Sequence, residues 1–209
     1  MNNQHVEQQP AYVLHSRPFR ETSLIVDIFS FEYGRISLLA RGKRRSKDPQ
    51  QAIIQPFYPL QISWRGRHEL KNLQHVEAAG QALRLQSKRL YSGFYVNELL
   101  MRLLPKEDPQ THLFAYYQAL LEALQQQDDA TEILLRRFER QLLSQLGYDI
   151  VTTHEYGNDA AIATVNSYDY FPLQGFMLAS DETVSGRLRV PGQVLLALAA
   201  DDYQSATDS

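Results

Sequence analysis

The densest chemistry in this sequence is cationic. Between Arg35 and Lys47 the segment RISLLARGKRRSK carries six cations, Arg35, Arg41, Lys43, Arg44, Arg45 and Lys47, and no acid. Five of them fall within residues 41–47. Repulsion at that density is tolerated only in water or against an anion, and phosphate backbones reward it through Coulomb attraction and counterion release. Taken alone, such a run reads equally well as a solvated loop. A second set, Arg65, Arg67 and Lys71, follows Trp64 and tips the reading towards a nucleic-acid surface. Single strands also ask for exposed aromatics on which bases can stack. Trp64, Phe57, Tyr58 and Tyr33 are the candidates, although most aromatics of a small β-domain belong to its core. Trp64 leads them because it sits between a strand end and Arg65-Gly66-Arg67.

Other chemistries are missing. With no cysteine there is no disulfide framework, thiolate nucleophile or Cys-based zinc site. His68-Glu69 and His154-Glu155 lack the second histidine of a zincin helix, and neither a GxxxxGK[ST] loop nor a GxSxG elbow occurs. The six histidines are scattered, and the pairs Glu107-Asp108, Asp128-Asp129 and Asp201-Asp202 sit beside turn-like or polar residues, where solvated loop charge explains them. The expectation is a protein without catalysis, cofactor or metal. A third cationic group, Arg136, Arg137 and Arg140, lies opposite the apolar stripe of a helix and is read as a salt-bridged face or as a docking point for an acidic peptide.

The elements that must hold these groups change character along the chain. Residues 11–77 contain AYVLH, TSLIVDIFSF, RISLLA, IIQPFYPLQISW and ELKNLQHVE, punctuated by turn residues. About five strands over roughly 70 residues suggest a five-stranded OB-type barrel, with Pro56 and Pro59 marking an edge or bulge. Helical spacing follows. One helix starts with Ser87 as its cap, buries Leu90, Phe94, Leu100 and Leu104, and stops at Pro105; a second covers 110–126. The third, TEILLRRFERQLLSQLG, has Leu134, Phe138 and Leu142 at i+4 and Gly147 as its stop. Beyond Tyr148, loops and a small hairpin are expected, then a helix from Pro191. The fold class is α+β: residues 1–80 as an OB-fold DNA-binding domain, and 81–209 as an α-helical domain with an irregular acidic end.

The net charge of −3 hides an asymmetry. Residues 1–80 hold 11 Lys and Arg against 7 Asp and Glu, residues 81–149 hold 8 against 9, and residues 150–209 hold 2 against 8. The longest apolar runs, such as 194–200, are far short of the roughly 20 residues that cross a bilayer, and the N-terminus shows no hydrophobic signal core. A cytoplasmic, nucleoid-associated protein is expected.

Three segments together resemble the RecO family: SRPFRETSLIVDIFSFEYGRISLLARGKRRSK at 16–47, LYSGFYVNELLMRLLP at 90–105 and LRRFERQLLSQLGY at 135–148. The resemblance covers roughly residues 10–150 and then thins. It implies an OB-fold followed by a helical domain, binding to single- and double-stranded DNA, annealing of complementary strands, and loading of recombinase onto DNA covered by single-strand-binding protein. Implied partners are the RecR mediator protein and the acidic C-terminal tail of single-strand-binding protein. For that tail, Arg136, Arg137 and Arg140 are suitable counter-charges. Some members carry a four-cysteine zinc module after the third helix; around His154–Asp159 this chain has no cysteine, so no zinc is expected. The family usually continues into further C-terminal helices with a basic tail; after the strongly acidic region here, that tail is expected to be divergent or missing. The competing reading is a helical adaptor for acidic protein partners that does not bind DNA. A small hydrolase or nuclease would need clustered carboxylates.

Overall fold

A computed structural model describes residues 4–42, 49–126, 131–180 and 187–203. The strands β1 (Gln4–Phe19), β2 (Ser23–Ser30), β3 (Gly34–Ala40), β4 (Leu60–Gly66) and β5 (Leu70–Ala78) close into a barrel in the order β1-β2-β3-β5-β4. All neighbours are antiparallel except β3 and β5. This is the five-stranded OB-like barrel expected from the sequence. A short helix, α1 (Pro49–Ile53), lies between β3 and β4.

Alternation builds the interior. Ile36, Leu38 and Ala40 of β3 and Leu60, Ile62 and Trp64 of β4 point inward with Val13, Val26, Ile28 and Val76. Strand β1 serves two neighbours, β4 through Gln4–Ala11 and β2 through Ala11–Phe19. It turns between them at a register shift after Val6, where Gln8 adopts φ +49° and its amide donates to Ser63 Oγ at 3.0 Å. The strand therefore begins well before Ala11. Residues 4–10 are mostly polar, and among their described side chains Val6 is the one in the core, so their pattern carries little strand signal. The run IIQPFYPLQISW is also divided. Ile53 ends α1 and the strand starts only at Leu60, because two prolines remove ladder donors; Pro56 makes just an isolated bridge to Val13.

Three longer helices follow: α2 (Ser87–Leu103), α3 (Thr111–Gln125) and α4 (Thr131–Gln145). Helix α2 is capped at Gln86 without a side-chain hydrogen bond, so Ser87 is not the cap. Its buried face is Gly93, Val96, Asn97 and Leu100, while Phe94 is exposed. A Cβ on Gly93 would come within 2.8 Å of the Phe57 ring, so this glycine lets the helix approach closely. Asn97 donates from Nδ2 to the Leu14 carbonyl at 3.0 Å and accepts the Tyr117 hydroxyl at 2.7 Å. Tyr117 and Phe114 of α3 join Tyr12 and Phe29 in an aromatic cluster with centroids 5.3–6.0 Å apart. In α4, Phe138 and Leu142 are buried, and Gly147 at φ +82° ends the helix, with the Tyr148 amide bonding back to the Leu143 carbonyl.

The chain divides into two compact units, Met1–Phe138 and Glu139–Ser209. Within the second, β6 (Ser167–Phe171) pairs with both β7 (Gly175–Leu178) and β8 (Arg189–Pro191), and α5 (Gly192–Ala199) follows. Ile162, Tyr168, Phe176 and Leu195 form its core. The hairpin and the helix after Pro191 match the sequence reading; β8 is an addition to it. Asp169 is buried and gripped by Arg189 at 2.8 and 3.1 Å, with Arg187 3.9 Å away. The Arg189 hydrogen bond holds its carboxyl below the usual aspartate range.

Candidate nucleic-acid interface

The end of β3 and the β4–β5 hairpin bring predicted cations together. Asn72 of β5 is in register with Leu39 on one side and with Arg65 on the other. Arg41, one residue past β3, and Arg65 therefore flank the same strand, and both are exposed. With Gly66, Asn72, Leu73 and Gln74 they line an open cleft of about 410 Å³. Two guanidinium forks beside neutral amides suit a phosphate, which arginine can hold through two parallel N–H donors. Arg67 is exposed in the same hairpin. Lys43, Arg44, Arg45 and Lys47 lie outside the described residues. Glu69, in the hairpin, is ion-paired with Lys106, and that hydrogen bond and charge lower its carboxyl pKa, with smaller help from Arg35 and Lys71.

Three other predicted contacts are placed elsewhere. Trp64 is 0% exposed, with its ring edge-on to Tyr33 at 5.2 Å. Its position, two residues after Ile62 and four after Leu60, points it into the barrel, which corrects the expectation that it stacks on bases. Phe57 is also buried, and Tyr58 and Tyr33 are half-buried against the core. Lys71 is 2% exposed and ion-paired with Glu107. Arg35 is half-buried and donates from Nε and Nη2 to the Leu104 carbonyl at 3.0 and 2.8 Å. The Arg35 carbonyl in turn accepts the Glu107 amide at 3.0 Å. Arg35 and Lys71 thus fasten the segment between α2 and α3 to the barrel, a correction to their assignment as phosphate ligands. No local signal marks this, because both partners lie at least 36 residues away.

The profiles described as Recombination protein O N terminal and Recombination protein O C terminal match residues 1–82 and 84–198. The chain belongs to the RecO family. It is 44% identical over 203 residues to the DNA repair protein RecO of Marinobacter nauticus, covering 96% of this chain and 82% of that one. The corresponding protein of Cellvibrio japonicus is 43% identical over 201 residues, 96% and 84% of the two chains. That of Methylococcus capsulatus is 46% identical over 188 residues, 90% and 76%. A RecO-family chain is a DNA repair protein, and the barrel that bears the cleft lies within the N-terminal match.

On α4, Arg136, Arg137 and Arg140 are all exposed. Arg140 donates to the Leu198 carbonyl at 2.5 Å, so part of its guanidinium is engaged. Around His154–Asp159 the backbone forms a small turn in which the Glu155 amide bonds the Ala160 carbonyl. With no thiolate in the chain and no convergent group of three His, Asp or Glu among the described residues, this stretch does not fit a zinc ion. Among the described residues, no helix is long and apolar enough to cross a membrane.

Proposed function

We propose that this RecO-family chain is a recombination mediator that binds single- and double-stranded DNA, anneals complementary strands, and helps load recombinase on DNA coated with single-strand-binding protein. The observation that carries the reading is the cleft holding Arg41 and Arg65; in sequence, Arg41 begins the basic run that includes Lys43, Arg44, Arg45 and Lys47. Residues 1–80 act as the DNA module, with Arg67 as a further contact, and residues 81–209 as the partner-binding part. Phosphates held on the barrel lose their mutual repulsion, so two strands can be brought side by side without nucleotide hydrolysis. The exposed Arg136 and Arg137, with Arg140, meet the acidic tail of single-strand-binding protein by charge, and RecR completes the loading complex.

The test is annealing of two complementary labelled oligonucleotides, bare and coated with single-strand-binding protein, by wild type and by R41A/R65A. Wild type should accelerate both reactions and the variant neither. R136A/R137A should lose only the coated reaction. Failure of wild type to accelerate annealing of either substrate rejects the mediator reading.

A further inference from the structure

The outer face of α2 combines cations with exposed aromatic rings, which the lining of the barrel cleft lacks. From Ala78 to Asn97 the chain has no acid, and it carries the exposed cations Arg84 and Lys88, while Arg89 is half-buried in line with Gly93 and Val96. In the same stretch Tyr91 is 75%, Phe94 46% and Tyr95 41% exposed. The helix keeps its apolar contacts on the opposite side, through Val96, Leu100 and Gly93, and Phe94 rests partly on Phe57 at 5.2 Å. Tyr91 and Tyr95 are i,i+4 neighbours, so their rings rise from one face about 6 Å apart along the axis. Lys88 lies one turn before Tyr91 on that face. Glu98, the next acid, is taken up by Arg102 at 2.7 Å.

We propose that this face is a stacking platform for single-stranded nucleic acid, with Tyr91 and Tyr95 receiving two unstacked bases while the exposed Arg84, just ahead of the helix, and Lys88 follow the backbone. Interleaved aromatics and cations are what single-strand grooves use, since every base has a π-face and every nucleotide a phosphate. The cations favour a polyanion over an apolar protein segment as the occupant. In a duplex the bases are already stacked on one another, so the platform discriminates in favour of single strands. The cleft at Arg41 and Arg65 shares no residue with it.

The experiment measures anisotropy of a labelled oligothymidine and of a labelled hairpin duplex with the full chain, for wild type, Y91A/Y95A, Y91F/Y95F and R41A/R65A. The tyrosines are exposed, so far-UV circular dichroism and the melting temperature of Y91A/Y95A should match wild type. The expected result is a loss of about tenfold or more in single-strand affinity for Y91A/Y95A, with duplex affinity within about twofold and an unchanged salt slope. Y91F/Y95F, which keeps the rings, should bind like wild type. Equal weakening on both substrates, or none, overturns the platform while leaving the mediator reading intact if R41A/R65A still loses DNA. A change of sedimentation coefficient in Y91A/Y95A without loss of affinity would assign the face to a second copy of this chain and overturn the proposal. Absence of wild-type binding to either substrate removes the platform and the mediator reading together.

Discussion

Truncating Lys71 separates a clamp from a phosphate ligand. Lys71→Ala removes roughly three buried methylene groups, each worth about 0.8 kcal/mol. It also removes the partner of Glu107, which at 45% exposure is solvated in its place, so that pair counts as a near-surface one of about 1 kcal/mol or less. Against both stands relief of the buried ammonium, whose lost hydration costs several kcal/mol before its contacts offset it. The net destabilisation should be about 2 kcal/mol, or about 4–8 °C in melting temperature for a chain of this size. Lys71→Met keeps most of the stem and should cost under about 1 kcal/mol. Thermal melts by circular dichroism read these values, and a DNA salt titration of the same variants reads function. The salt slope should equal that of wild type in both. A slope flattened by about one unit with an unchanged melting temperature would show that Lys71 touches phosphate and that the burial reasoning fails.

Two further outcomes follow from the same packing. At Gly34, φ is +64° and an added Cβ would lie 1.9 Å from the Asp108 carbonyl oxygen. Gly34→Ala should therefore lose about 2–5 kcal/mol by urea unfolding, the left-handed strain plus overpacking. Gly42→Ala, at φ +69° with no described atom within 4 Å, should lose only about 1–2 kcal/mol; equal losses would refute the docking contact. Burial first, and the Glu122 charge second, push the Tyr12 hydroxyl up to about 12, and burial raises Tyr117 as well. A raised folded value means stability fully present below pH 10 and lost as pH rises through 12. Melts between pH 9 and 12 should fall more steeply for wild type than for Tyr12→Phe, and parallel curves would contradict the assignment.

What the sequence disclosed follows the range of the interactions involved. The strands β2 and β3 and the helix α4 with its Gly147 stop were legible because their apolar periodicity and turn residues are local. The inward position of Trp64 is legible too, in the alternation Leu60, Ile62, Trp64, although the neighbouring Arg65 and Arg67 carry the opposite signal of an exposed strand end. Burial of Lys71 and engagement of Arg35 depend on Glu107 and Leu104, which only the closed barrel and the α2–α3 segment bring near. The buried face of α2 escapes a count of apolar residues because a glycine and an asparagine occupy it, and such a count points to Phe94 instead. The convergence of Arg41 and Arg65 rests on the parallel pairing of β3 with β5, a long-range register that no local pattern encodes.

The most direct measurement is the salt dependence of single-stranded DNA affinity for wild type and R41A/R65A. If both arginines neutralise phosphates, the slope of log K against log salt should flatten by about 1.4, at about 0.7 for each phosphate no longer neutralised. The weakening should be the same for every sequence tested, because backbone contacts carry no base information. A slope identical to that of wild type, at any affinity, would contradict the cleft as the DNA surface.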